Sequence, residues 1–155
     1  KSAGGIMTTE PVILAHDATV AEALARIRNE ELPTSLAAQV YVTRSPLETP
    51  TGHFLGVVHF QRLLREQPGT LVSSLVDNDL ESVDPEAPLD EVVRHFARYN
   101  LVGLPVVDNN DHLLGVVTVD DVVDNMLPED WRESYPASSD TDLISSRQAG
   151  DGDGD

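Results

Sequence analysis

The stretch HLLGVVTVDD at residues 112–121 has a counterpart in HFLGVVHFQR at residues 53–62. Upstream of each, a second pair of passages agrees: ATVAEAL at residues 18–24 and APLDEVV at residues 87–93. Similarity in a fixed order indicates two copies of one supersecondary unit. The first copy is longer, and its extra residues fall in 29–36 and in the Pro- and Thr-rich segment 44–52, which predicts surface insertions.

Hydrophobic periodicity and turn residues predict the order β-α-β-β-α for each copy. In the first copy the pattern predicts a helix that Asp17 caps, two strands and a short helix, over Asp17–Asn29, Gln39–Thr43, Phe54–Phe60 and Phe60–Glu66. The second copy predicts an extended segment, a helix, a hairpin and a last helix, over Glu81–Asp84, Asp90–Tyr99, Leu104–Asp108, Leu113–Val117 and Val119–Leu127. Units this small cannot bury a sheet alone, so the expected fold is α+β, with two repeats packed as a pseudo-twofold pair.

The chain divides by sequence into three parts. Residues 1–70 form the first repeat with a lead-in, residues 71–132 form the second repeat, and residues 133–155 are expected to be a flexible acidic tail rich in Ser, Asp and Gly. Because the chain starts at Lys1, we expect it to be a piece of a longer protein whose remaining domains are its partners.

Composition excludes several classes of partner. The net charge is −17, whereas nucleic acids and anionic membranes bind Lys- and Arg-rich surfaces. There is no cysteine, so disulfides and thiolate metal sites are excluded. There is also no apolar run of the roughly 20 residues that a membrane span needs, so direct membrane insertion by this chain is not expected. Segments 71–93 and 108–130 each hold seven acids and neither Lys nor Arg, which fits either a solvated face or a surface that responds to cations.

The clearest chemical signal is the pair Thr118 and Asp121, at the end of a hydrophobic strand and the start of a helix. A hydroxyl at this position can bind phosphate beside the first-turn N–H groups, and a carboxylate three residues later suits the two hydroxyls of a ribose. The same spacing is also that of a plain capping box, with no ligand at all. Spacing alone leaves both readings open.

Two repeats with a Met-Thr opening, the passage GLPVV at residues 103–107 and the close GVVTVDD at residues 115–121 resemble a pair of cystathionine-β-synthase (CBS) domains. The resemblance runs from about Gly5 to Leu127. It implies two clefts for adenosine nucleotides (AMP, ADP or ATP), with Thr118 on phosphate and Asp121 on ribose. The residues that it implies around the base are Ser82 and Val83 on a strand and Val102, Gly103, Leu104 and Pro105 on a turn.

The first repeat departs from this pattern, because His59 and Arg62 stand where Thr and Asp would. Arg62 is a donor only and cannot accept hydrogen bonds from ribose hydroxyls. We therefore expect one well-formed nucleotide cleft and one degenerate cleft, with His59 as a packed residue at a strand end.

A narrower resemblance connects the chain to the CBS pair of MgtE-type magnesium transporters. It is carried by AGGIMTTE at residues 3–10, YNLVGLPVVD at residues 99–108 and TVDDVVD at residues 118–124. The resemblance implies magnesium sensing through carboxylates. Asp120 and Asp124 lie one helical turn apart and can share a hydrated Mg²⁺, with Asp108 or Asp111 as a third partner; the alternative is an exposed acidic helix start.

These observations favour a cytoplasmic regulatory module, self-associated as a homodimer, that senses adenine nucleotide or Mg²⁺ for an MgtE-like transporter or magnesium-sensing protein. No nucleophile elbow, P-loop or paired-carboxylate active site is found in the sequence, so catalysis is not expected. One alternative is a nucleotide-responsive CBS pair of an unrelated effector, and another is a purely structural dimerisation module.

Overall fold

Each of the two related stretches forms the second strand of a hairpin and the start of the helix that follows it. The structure, a computed structural model, describes residues 1–29, 31–77 and 81–127. Its strands are β1 (Ile13–Ala15), β2 (Gln39–Thr43), β3 (Phe54–His59), β4 (Gly103–Val107) and β5 (Leu113–Thr118). Its helices are α1 (Ala3–Ile6), α2 (Val20–Asn29), α3 (Thr34–Ala37), α4 (Phe60–Arg65), α5 (Leu89–Tyr99) and α6 (Val119–Met126), with a 3₁₀ turn at Val72–Leu75.

The sheets of the two repeats have matching topology. In the first, β1 pairs in parallel with β2, and β2 pairs antiparallel with β3. In the second, β4 pairs antiparallel with β5, and Val83 bridges in parallel to Val106 on β4. The expected α+β class and the two predicted hairpins are therefore confirmed. The tail predicted over 133–155 lies outside the described residues.

Each sheet is completed by the segment that precedes the other repeat. Thr8, in the lead-in to the first repeat, pairs with Val116 on β5 of the second. Asp77, in the linker to the second repeat, pairs with Val57 on β3 of the first. We call this arrangement the reciprocal exchange. The boundary between residues 70 and 71 separates the repeats in sequence only, because each connecting segment packs against the repeat on the other side of that boundary.

The glycine of each repeated stretch lies under the exchanged segment. A Cβ atom at Gly115 would lie 2.7 Å from Met7 Sδ and 2.8 Å from the Thr8 carbonyl oxygen. A Cβ atom at Gly56 would lie 3.0 Å from the Asp77 carbonyl oxygen, and Gly56 has a φ of +148°, which side-chain-bearing residues rarely adopt. The repeated glycine is thus explained by close backbone approach.

Three apolar clusters hold the fold together. One belongs to the first repeat and includes Leu63 and Val72, and one belongs to the second repeat and includes Leu104 together with Ala3 of the lead-in. The third lies between the sheets and draws residues from both repeats, namely Ile13, Tyr41, Val57, Leu113 and Val116. The repeats therefore share a core, as face-to-face packing requires.

Three local details differ from the sequence-based expectation. Helix α2 begins after Thr19 and not after Asp17, because Thr19 and Glu22 form a capping box in which the Thr19 N–H donates to Glu22 Oε1 at 2.7 Å. The first strand of the first repeat was expected from the order β-α-β-β-α but was not located, and helix α1 was not predicted, since three and four residues are too short to show periodicity. The inserted segment 29–36 contains the start of helix α3.

The compact unit Lys1–Val123 contains the strands of both repeats, and a second unit comprises Asp124–Asp155. Of the second unit the structure describes only 124–127, which include the end of helix α6.

Candidate functional site

A cavity of about 1100 Å³ is lined by residues of both repeats. The first repeat contributes the start of β2, the end of β3 and the first turn of α4, with Gln39, Val57, His59, Phe60 and Gln61. The second contributes the end of α5 and the entry to β4, with Tyr99, Asn100, Leu101, Val102, Gly103 and Pro105. The lining is completed by Ile27, Leu32, Thr34, Ala37 and Ala38 of the first repeat and by the linker residues Asp77 and Glu81. A cavity of this size is large enough for a small-molecule ligand such as a nucleotide.

Three of the eight predicted nucleotide-binding residues line this cavity: Val102, Gly103 and Pro105. Val83 and Leu104 are buried in the core of the second repeat and do not line the cavity, because alternate residues of a strand face opposite sides. Ser82 is exposed beside Val83 and is not part of the lining.

Thr118 and Asp121 form a capping box at the start of α6. Asp121 Oδ2 accepts hydrogen bonds from the Thr118 N–H at 2.9 Å and from the Thr118 hydroxyl at 3.1 Å, while the Asp121 N–H donates to Thr118 Oγ1 at 3.2 Å. Neither residue lines the cavity, although Thr118 lies directly opposite Gly103 in the β4–β5 pairing. Their roles on phosphate and ribose stay predictions.

Thr8 is a third member of this cluster, which sequence reasoning did not assign. Its hydroxyl donates to Asp121 Oδ2 at 3.2 Å, and the reciprocal exchange brings it there from the opposite end of the chain. The Met-Thr opening of the repeat was the only signal in the sequence, and it gave no information on which strand the segment would join.

His59 and Arg62 occupy the corresponding positions of the first repeat. The expectation that His59 is packed is wrong: its side chain is exposed and lines the cavity, because β3 ends there and α4 begins with the next residue. Arg62 is turned along its own helix, where its Nε donates to Glu66 Oε2 at 2.9 Å. Arg62 is not part of the cavity lining.

A buried polar pair supports the base of the cavity. Gln39 Nε2 donates to the Tyr41 hydroxyl oxygen at 2.7 Å and approaches the Gly103 carbonyl oxygen at 3.4 Å. Burial raises the pKa of Tyr41 well above its ordinary value. A Cβ atom at Gly103 would lie 2.5 Å from the Tyr41 hydroxyl, so the glycine leaves room for this pair. Nothing in the sequence distinguishes Gln39 from any other polar residue at the start of a strand, so sequence reasoning did not identify it.

Among residues 1–29, 31–77 and 81–127, no group of three or more His, Asp or Glu side chains is placed to hold a metal ion. Asp120 accepts a hydrogen bond from the Ser35 hydroxyl at 3.1 Å. Asp120 belongs to the unit Lys1–Val123 and Asp124 to the unit Asp124–Asp155, so the structure describes these carboxylates separately. Their sharing of one Mg²⁺ stays a prediction.

The expectation that Asp108 or Asp111 completes a site with Asp120 is wrong. Both lie in the β4–β5 turn, whereas Asp120 follows the far end of β5, and six strand residues span roughly 17 Å. Asp108 stabilises the turn instead, since its Oδ1 accepts from the N–H groups of Asn110 and His112, both at 2.9 Å. The hydrogen bond from the His112 N–H lowers the pKa of Asp108.

Within the described part of the chain, no helix combines the length and the apolar character that a membrane crossing requires.

Comparisons with known proteins agree with this geometry. The CBS domain family matches residues 3–69 and 72–128. The magnesium transporter MgtE of Enterococcus faecalis is 32% identical over 124 residues, which are 80% of this chain and 26% of the transporter. MgtE of Thermus thermophilus is 34% identical over 122 residues, with 79% and 26% covered. The chain thus spans about a quarter of the length of these curated relatives.

Two solved structures resemble the fold. The soluble part of a magnesium transporter superposes with a TM-score of 0.70 at 31% identity, over 81% of this chain and 47% of the other. The cytosolic domain of the Mg²⁺ channel MgtE in complex with ATP superposes with a TM-score of 0.68 at 33% identity, over 80% and 48% of the two chains.

Proposed function

Because the chain belongs to the CBS-domain family and its two repeats enclose one cavity, we propose that it is a regulatory module that binds an adenine nucleotide. The parent protein is an MgtE-like magnesium transporter or magnesium-sensing protein. The observation that carries the proposal is the cavity, to which both repeats contribute. The relative whose cytosolic domain is in complex with ATP supports the choice of ligand.

The base is proposed to lie against Val102, Gly103 and Pro105, which line the cavity. Val102 and Tyr99 are exposed apolar or aromatic surfaces there, of the kind that covers a flat heterocycle. Thr118 and Asp121 are the proposed phosphate and ribose ligands. This assignment is supported by the position of Thr118, which lies directly opposite the lining residue Gly103 in the β4–β5 hairpin.

Calorimetry with AMP, ADP and ATP tests this function. We expect one of them to bind the wild-type chain and Val102→Trp to abolish binding, because the larger side chain fills the cavity. Leu71→Trp is the matched control, since Leu71 is exposed and is not part of the lining. If wild type binds none of the three nucleotides, the function is wrong.

Asp121→Ala should weaken nucleotide binding by roughly 1.5–3 kcal/mol, the scale of hydrogen bonds to a charged group. Because Asp121 also caps α6, the control is Thr8→Val, which removes one hydrogen bond to the same carboxylate and keeps its charge. Equal nucleotide affinity of wild type and Asp121→Ala, measured on folded protein, would show that Asp121 does not bind the nucleotide.

Magnesium is proposed to stabilise the module through Asp120 and Asp124, with weak, roughly millimolar affinity, because Mg²⁺ keeps several waters when few carboxylates bind it. We expect MgCl₂ to raise the melting temperature above that in NaCl of equal ionic strength, and Asp120→Asn with Asp124→Asn to remove the difference. A rise that the matched salt reproduces is screening of the net charge of −17 and contradicts a site.

A homodimer is proposed through the outward faces of α4 and α6. Leu64 is 60% exposed and Val119 is 44% exposed, and association of two copies would remove these apolar side chains from water. Sedimentation should show a dimer for wild type and a monomer for Leu64→Asp with Val119→Asp. Leu71→Asp, which adds a charge at an exposed leucine elsewhere, should remain a dimer. A wild-type monomer at high micromolar concentration would contradict the proposal.

A further inference from the structure

We propose that Gln39 recognises the nucleobase in the cavity: its amide oxygen accepts a hydrogen bond from the 6-amino group of adenine and disfavours 6-oxopurines. This inference rests on the proposed function, and it assigns the base specificity of the cavity to one side chain. Three observations carry it: the burial of Gln39, the use of both its amide N–H groups by the protein, and its contact with Gly103 of the second repeat.

Gln39 is a buried polar side chain at the junction of the two repeats. It is the first residue of β2 and is only 2% exposed, yet it belongs to the lining of the cavity. Its Nε2 reaches the second repeat, where it approaches the Gly103 carbonyl oxygen at 3.4 Å. A polar group is costly to bury unless hydrogen bonds satisfy it, so the partners of this amide determine what it can still bind.

The hydrogen bonds fix which end of the amide faces the protein. A glutamine side chain has two N–H donors and one acceptor oxygen. The Gly103 carbonyl oxygen only accepts hydrogen bonds, so the amide nitrogen and not Oε1 faces it. The other N–H donates to the Tyr41 hydroxyl oxygen at 2.7 Å. Both donors are therefore used, and turning the amide over would place two acceptor oxygens against each other.

The amide oxygen is the end that is left for a ligand. In the described part of the chain, no N–H or O–H group donates to Gln39 Oε1. This oxygen is also not among the fully enclosed side-chain atoms that lack a partner, so it is open to the cavity that Gln39 lines. Gln39 thus offers an acceptor, and no donor, to a molecule in the cavity.

Adenine carries the group that matches this acceptor. The base is proposed to lie against Val102, Gly103 and Pro105, and the Gln39 amide contacts Gly103, so a base in that position lies beside Oε1. The 6-amino group of adenine is a donor, whereas the oxygen at the same position of guanine or hypoxanthine is an acceptor. Tyr41 is a positioning residue in this arrangement, because its hydroxyl holds the amide in the orientation that selects adenine.

Calorimetry on the whole chain with AMP against IMP, and with ATP against ITP, tests the inference. The two members of each pair carry the same ribose and phosphates, so the ratio of their affinities reports the base alone. We expect the adenine member to bind at least about tenfold more tightly, the scale of one unpaired buried polar group. Purine riboside monophosphate, which lacks the 6-amino donor, should also bind more weakly than AMP.

Gln39→Met keeps the length of the side chain and removes the amide. It should reduce the ratio between AMP and IMP to within about threefold, because neither base then meets a selective partner. Gln67→Met is the matched control, since it makes the same chemical change at an exposed residue that is not part of the lining, and it should leave the ratio unchanged. Melting curves show that each variant is folded.

Tyr41→Phe is a second variant, which keeps Gln39 itself and decides the question if Gln39→Met does not fold. It removes the oxygen that accepts from Nε2, so the amide can turn an N–H group toward the cavity and donate to a 6-oxo group. We expect the affinity for IMP to rise relative to that for AMP by at least about threefold. A purely structural role of Tyr41 would weaken both nucleotides alike.

Several results would overturn the inference and leave the proposed function standing. One is equal binding of AMP and IMP to wild type, and another is a preference for AMP that persists in folded Gln39→Met. Gln61 is the other glutamine of the lining, and loss of the preference in Gln61→Met but not in Gln39→Met would show that Gln61 recognises the base. If no nucleotide binds to wild type, the proposed function fails, and the inference fails with it.

Discussion

Gly115→Ala should lower the free energy of unfolding by about 2–4 kcal/mol, from overpacking together with weakened hydrogen bonds. The new Cβ would lie 2.8 Å from the Thr8 carbonyl oxygen, which is backbone and cannot turn away. The lead-in must then move away from β5, where Thr8 and Val116 exchange two hydrogen bonds of 2.8 and 2.9 Å. Urea unfolding followed by far-ultraviolet circular dichroism measures the loss.

Gly69→Ala is the matched control for this substitution. A Cβ atom there meets no atom within 4 Å, so the change should be neutral or slightly stabilising, since alanine restricts the unfolded chain more than glycine does. Equal unfolding midpoints for Gly115→Ala and Gly69→Ala would show that the close approach of the lead-in is not what requires the glycine.

Leu113→Ala should cost about 2–5 kcal/mol, as expected for a cavity in a close-packed core. Leu113 is 0% exposed and belongs to the cluster between the sheets, where it packs with Tyr41 and Val57 of the first repeat. Because this cluster is shared, the variant should still unfold in one transition, at a lower denaturant concentration.

The control for Leu113 is Leu71→Ala, which makes the same chemical change at a side chain that is 45% exposed and should alter stability by no more than about 0.5 kcal/mol. A loss below about 1 kcal/mol for Leu113→Ala, or two separate transitions, would show that the repeats are not joined through this cluster.

The elements that the sequence predicts well are those whose periodicity runs over many residues. The helix expected over Asp90–Tyr99 is α5, and the strand expected over Gln39–Thr43 is β2. Strand β1 was not located and helix α1 was not predicted, because their short runs acquire structure only from the sheet and core against which they lie. The helix start at Thr19 was misassigned because Asp17 is also a good capping residue, and only the Glu22 contact distinguishes them.

The candidate site was predictable where local motifs carry it. Val102, Gly103 and Pro105, which the CBS resemblance implies at and just before the GLPVV passage, line the cavity. The exposure of His59 and the acidic contribution of Asp77 and Glu81 were not predictable, since they depend on which segments meet across the two repeats. Long-range pairing of this kind leaves no periodic signal in one sequence.

The reciprocal exchange makes the two halves of the chain behave like an obligate heterodimer that happens to share one backbone. If the chain were cut between residues 70 and 71, the first fragment would lack Asp77, which bridges to Val57 at the outer side of β3, and the second would lack Thr8 and the buried Ala3. Each fragment would leave a sheet edge open for other chains. Mixed in equal amounts, the fragments should complement each other and regain one folded particle.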